Sequence, residues 1–241
     1  NVFYFGNKKS DGNGAMKEIL GGKGAGLAEM TEIGINVPPG FTISTKVCDM
    51  FYKNKKQTPK VINTEMKSNS TKLEKMTKKG FGDPKNPLLV SVRSGAMFSM
   101  PGMMDTILNL GLNDKTVAGL SKRTNNPRFA WDAYRRFIQM FSDVVLNVDK
   151  NLFEDLLDDL KKKKKVNHDV DLNEAALKSL VQDYKKLVKS KTKREFPQNP
   201  LDQLVKAIDA VFLSWNNKRA IFYRKKYNIS ADIGTAVTVQ S

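Results

Sequence analysis

The chain has 241 residues, 40% of them hydrophobic, and its 41 Lys+Arg against 25 Asp+Glu give a formal charge of +16. That is apolar material for one large core or two modest ones, and no stretch approaches the roughly 20 consecutive apolar residues of a membrane-spanning helix, so no membrane is expected among its partners. The single cysteine, Cys48, excludes an intrachain disulfide and a thiolate metal cluster, which fits a reducing compartment, with the cytoplasm as the default.

Val2 to Phe5 reads as a short strand and the GNKKSDGNG after it as a turn or loop. Ala15 to Leu20 is a short amphipathic piece. The cluster Gly21-Gly22-Lys23-Gly24 then leads into an expected helix from Ala25 to Ile33, stopped by Gly34. Pro38-Pro39-Gly40 marks a turn, and Phe41, Ile43 and Thr45 alternate as in a strand. Met50 to Lys79 is lysine-rich and helix-compatible, Leu88 to Val92 is a second apolar strand, and Ile107 to Leu112 is expected to return beside it.

Beyond Asn113 the period becomes helical. Pro127 suits the first turn of a helix whose apolar positions include Trp131, Tyr134, Phe137, Ile138, Phe141 and Val145. Leu152 to Leu160 continues the pattern and ends in Lys161 to Lys165, where positive charge favours a helix C-terminus. Asp171 and Glu174 have capping-box spacing before a helix from Ala175 to Val188. KSKTKREFPQNP is a connector, two helical patterns follow at Leu201 to Trp215 and Arg219 to Tyr227, and strand character returns at Thr235 to Val239. The architecture expected is α+β: a mixed body of residues 1–113 plus 198–241, interrupted by an all-helical subdomain over 114–197. GTAVTVQS alternates like a strand that has only just begun, and the chain starts without Met, so a part of a longer protein is expected.

Which residues carry chemistry is less direct. The charge excess is mostly lysine, with little of the interleaved arginine and aromatic residues that read or stack on bases, so a solvated surface is favoured over nucleic acid. Gly22-Lys23-Gly24 fails the Walker A spacing, which needs Gly five positions before the Lys where Glu18 stands, and it fails the dinucleotide fingerprint at Leu27. Small residues, a helix N-terminus and the mobile charge of Lys23 still suit an anion, with a plain glycine turn as the alternative. Arg93, fixed after a strand, is suited to a bidentate phosphate or carboxylate contact, or to a structural ion pair. The segment LLVSVRSGAMFSMPGMMDT that contains it is too apolar for an ordinary loop and too broken for a helix or strand. Gly95, Ser99, Pro101 and Gly102 permit close backbone approach, while Met97, Met100, Met103 and Met104 can line one face of a planar ring. His168, the lone histidine, reads as a surface residue; Asp105 is the acid nearest the loop, and no carboxylate pair for a metal is found.

Three stretches, GGKGAGLAEM, LLVSVRSGAMFSMPGMMDTILNLGLND and NPRFAWDAYRRFIQMFSDVV, together with SWNNKRAIFYRKKYNI and GTAVTVQ near the end, resemble the N-terminal domain of the pyruvate, phosphate dikinase family. The related phosphoenolpyruvate synthases share the GGKG and VRS elements but lack SMPGMMDT. The resemblance implies an incomplete ATP-grasp nucleotide-binding domain, with Lys23 and Arg93 on the phosphates of ATP and the loop from Ser94 and Gly95 through Ser99, Met100, Pro101, Gly102, Met103 and Met104 to Asp105 on their near side. It further implies transfer to a histidine on another domain of the same protein, a homodimer, and Mg²⁺ whose ligands lie beyond residue 241. The isolated fragment is expected to have little or no activity. A phosphoenolpyruvate synthase and a basic nucleic-acid-binding module are the alternatives.

Overall fold

A computed structural model describes residues 1–241, and it is α+β, with one antiparallel sheet and nine helices. The chain divides into two compact units. The first comprises residues 1–79, 90–106 and 204–241; the second comprises 80–89 and 107–203.

In the first unit, β1 (Val2–Gly6) turns back into β2 (Lys9–Ser10). Asn7 and Lys8 carry φ of 50° and 59°, the two positive values of a type I′ hairpin turn. Part of the expected loop is therefore a strand. β1 pairs with β3 (Gly40–Ile43), and β3 pairs with β6 (Ala236–Gln240), which also pairs with β4 (Val90–Gly95). The order is β2-β1-β3-β6-β4. GTAVTVQ is thus no strand at its beginning: β6 is buried throughout and bonded on both sides. The β4 strand also runs further than its apolar run, through Arg93 to Gly95, because backbone pairing with β6 continues past Val92.

Helix α1 spans Lys17–Glu32, starting earlier than its sequence pattern suggests, and is broken at Gly21, whose φ and ψ are 67° and 171°. Its second limb lies on the sheet. A Cβ on Gly24 would sit 2.8 Å from the Thr42 methyl, so glycine is required for that approach. The long lysine-rich stretch forms α2 (Thr45–Lys53) and α3 (Lys60–Thr77) instead of one helix. Between them Lys55 and Lys56 adopt positive φ, and Pro59 precedes the new helix. Thr45 begins α2 and does not end the strand. Helix α8 (Pro200–Ser214) continues into this unit, and Thr58 donates to Asp209 through both its amide and its hydroxyl. Helix α9 (Lys218–Lys226) follows, its first turn capped by Asn217.

The second unit holds β5 (Thr106–Leu110, from Ile107 on), α4 (Thr116–Thr124), α5 (Pro127–Val144), α6 (Lys150–Lys164) and α7 (Glu174–Thr192). Asn126 caps α5, and Pro127 takes its first turn as the sequence pattern suggests. Phe137, Phe141 and Phe196 meet edge-on or tilted in its core, and Tyr184 Oη donates to the carbonyl of Phe153. The lysine run ends α6, with Lys165 in the left-handed region. The cap of α7 is Asn173, which accepts from the Ala176 amide at 2.9 Å. Asp171 accepts from the His168 amide and closes a 3-10 turn instead of capping α7. No helix is long and apolar enough to cross a membrane.

Candidate functional site

Strand β4 and the break in α1 together build the site. The Gly22 amide donates to the Ala96 carbonyl at 3.0 Å, and the position of a Cβ on Gly21 would fall 1.6 Å from the Gly95 carbonyl oxygen. The glycine cluster thus lies against the exit of β4, and only glycine fits there. The second limb of α1 starts at this contact and carries Lys23 on its first turn.

Arg93, itself exposed, lies on β4 opposite Thr238 of β6, which in turn is opposite Thr42 of β3. The two threonine hydroxyls are 3.4 Å apart. Because Gly24 rests on Thr42, Lys23 is brought into the electrostatic range of Arg93. Partial desolvation holds the Lys23 ammonium below the usual lysine range, and the Arg93 guanidinium pushes it in the same direction. Neither residue takes part in an ion pair. Two neighbouring cations without a carboxylate form a local excess of positive charge that favours an anion.

The segment after β4 wraps a cavity of about 510 Å³, within the range of small-molecule sites. Met100 to Met103 form a β-turn: the Met103 amide donates to the Met100 carbonyl at 3.2 Å, and Gly102 has φ of 71°. Proline at the second turn position and a positive-φ glycine at the third are the type II signature, which accounts for Pro101-Gly102. The amides of Phe98, Ser99, Gly102 and Met104 find no acceptor within the chain, so these donors are open to solvent or to a ligand.

Of the residues singled out by sequence, Gly22, Lys23, Ser94, Gly95, Met97, Ser99, Met100, Pro101, Gly102 and Met104 line the cavity, joined by Ala96, Phe98 and Thr106. Arg93, Met103 and Asp105 are not in the lining. Met100 is buried, whereas Phe98 is 45% exposed. Phe98 is not singled out by the sequence pattern. Asp105 is paired with Arg219 at 3.7 Å. No group of three or more His, Cys, Asp or Glu comes together in a way that could hold a metal ion. The residues here therefore do not suit Mg²⁺, and no step is routed through one. Cys48 is buried with its thiol pushed up to about 11, chiefly by desolvation, so it is no nucleophile.

Comparison with known proteins gives a family. The family model "Pyruvate phosphate dikinase, AMP/ATP-binding domain" matches residues 17–80 and 54–241. Pyruvate, phosphate dikinase of Clostridium symbiosum is 52% identical over 97% of the chain, and that of Entamoeba histolytica is 51% identical over 96%. The chloroplastic enzyme of Flaveria trinervia is 48% identical over 100%. The chain spans about a quarter of the length of these relatives: 27%, 26% and 25% respectively. The chain belongs to the family of the pyruvate phosphate dikinase AMP/ATP-binding domain.

Proposed function

We propose that the cavity beside Lys23 receives the phosphates of ATP and that the full-length protein is a pyruvate, phosphate dikinase. In this reading it converts ATP, phosphate and pyruvate to AMP, pyrophosphate and phosphoenolpyruvate through a phosphohistidine on another of its domains. The observation that carries the reading is the pair of unpaired cations, Lys23 and Arg93, set beside a loop whose backbone amides have no internal acceptor. Phosphate oxygens are the ligand that such a set satisfies at once.

The chain's own residues would bind and orient. Lys23 and Arg93 neutralise the charge that accumulates as a phosphoryl group leaves, and the amides of Ser99 and Gly102 direct phosphate oxygens without a proton transfer. Met97, Met100 and Met104 offer a soft apolar wall for a planar ring. We assign the first unit to one lobe of an ATP-grasp domain and the helical unit to an insertion in it. The facing lobe, the phosphohistidine and the pyruvate site fall to the part of the protein that the relatives carry outside the matched quarter. A homodimer and a Mg²⁺ ion rest on the family resemblance alone, and a cytoplasmic setting on the single cysteine.

The test is ATP-dependent phosphorylation of the acceptor histidine in the intact protein. K23A and R93A should each lower its rate by about 10²-fold or more, and pyruvate turnover should require inorganic phosphate and release pyrophosphate. Wild-type rates in both variants would remove the site assignment, and turnover without phosphate would indicate a water-dependent synthase.

A further inference from the structure

The loop that borders the cavity has little to hold itself with. Between Ala96 and Asp105 its one internal backbone bond is the Met103–Met100 turn, and Gly102 and four methionines bring high conformational freedom. An anion site made of loop amides works only if those amides are aimed before the ligand arrives. The loop's shape must therefore be imposed from outside.

The corner between α8 and α9 supplies the contacts. The Asp105 amide donates to Ser214 Oγ at 3.4 Å, Asn217 Nδ2 donates to the Met103 carbonyl at 2.9 Å, and Tyr223 Oη donates to the Ser99 carbonyl at 3.3 Å. Arg219 pairs with Asp105. Asn217 does two jobs at once, because its Oδ1 also accepts from the Ala220 amide at 2.7 Å and so caps α9. The corner is itself stiff. The Arg224 guanidinium lies 4.1 Å from the Trp215 ring centre and donates to the Trp215 carbonyl and to Asn216 Oδ1. Trp215 Nε1 in turn donates to the Ala231 carbonyl at 3.0 Å.

We propose that the Ser214–Tyr223 corner is a bracket that positions the Ser99–Asp105 stretch for phosphate, with Asn217 and Tyr223 as its positioning residues. Both grip carbonyls: the hold on Met103 fixes the peptide plane that carries the open Met104 amide, and the hold on Ser99 fixes the plane that follows the Ser99 amide. The inference builds on the nucleotide reading above.

Two single-atom changes isolate it. In N217D the side chain still accepts from Ala220 and keeps the cap, but no longer donates to Met103; Y223F keeps the ring and loses only the hydroxyl. In the intact protein without nucleotide, each should speed hydrogen exchange of the amides of 97–105 roughly fivefold while the unfolding midpoint stays unchanged. The KM for ATP should rise by a similar factor, with kcat recovering at saturating ATP. Unchanged exchange in both variants overturns the bracket. Faster exchange with unchanged KM overturns its role in the site and leaves a merely structural contact. The nucleotide reading is checked separately: if ATP fails to slow exchange of 97–105 in the unsubstituted protein, that reading falls while the bracket itself is still judged by the two variants.

Discussion

Gly22 donates its amide to Ala96 at 3.0 Å, and this bond joins the break in α1 to the first residue after β4. It brings a helix start and a loop, which are far apart in sequence, into one site.

The glycines on either side of that bond should behave in opposite ways. Gly21 has φ of 67° and ψ of 171°, a region essentially reserved for glycine, and its Cβ position is filled by the Gly95 carbonyl. G21A should therefore cost about 3 kcal/mol or more and loosen the loop. Gly26, on the same helix, has nothing within 4 Å of its Cβ position. G26A should stabilise by about 0.5–1 kcal/mol through helix propensity. Urea unfolding of the two variants checks both signs; equal effects would contradict the packing described.

Lys23 titrates below an ordinary lysine, first because it is partly desolvated and then because Arg93 is near. R93Q removes the second cause, so the Lys23 pKa should rise toward the usual value of about 10.4 without reaching it. The ¹³Cε shift of Lys23 followed through alkaline pH measures this. A phosphate ligand favours the charged lysine, so phosphate affinity should weaken as pH climbs through the lowered pKa, earlier than for an exposed lysine. A Lys23 titration indifferent to R93Q would show that the two cations are not coupled.

In the helical unit, Arg135 donates to Asp132 at 2.8 Å and to Asp169 at 2.6 Å, with only 4% of its side chain exposed. R135M removes the buried partner of Asp132 and leaves that carboxylate to the exposed Arg136 at 3.0 Å; it should cost about 1–3 kcal/mol, read from the urea midpoint. Burial alone would raise the Asp169 pKa, but the bonds and charges from Arg135 and then Lys161 outweigh it and hold the carboxylate below its usual range. The folded state then binds that proton less readily than the unfolded chain. Its contribution to stability is complete above the ordinary carboxylate value of about 3.9 and is lost as pH falls through the lower folded value. D169N should flatten this acid limb.

Sequence pattern revealed the elements whose signals are local. Pro127 starts a helix because its fixed φ acts within one turn, and the lysine run ends one for the same kind of local reason. The residues around the cavity were found mainly through family motifs, while the small-residue chemistry around Lys23 pointed only to some anion. What stayed illegible depends on distant partners. The exposure of Arg93, the pairing of β6 on both sides and the hold of Asn217 on Met103 are set by segments that sequence spacing does not bring together. The cap of α7 was misplaced because two candidate acceptors, Asp171 and Asn173, stand two residues apart, and only backbone geometry separates them.

The place of β6 in the sheet also has a kinetic meaning. Thr42 and Thr238, partners across the β3–β6 ladder, are 196 residues apart in the chain. On a ribosome, β1, β3 and β4 would emerge with their joining strand still unsynthesised, leaving open hydrogen-bonding edges until residues 236–240 arrive. Non-local closure of this kind slows folding and prolongs the exposure of sticky edges to aggregation and to chaperones. Assembly of the first unit is thus timed by β6, and premature termination anywhere before it would release a product unable to close its sheet.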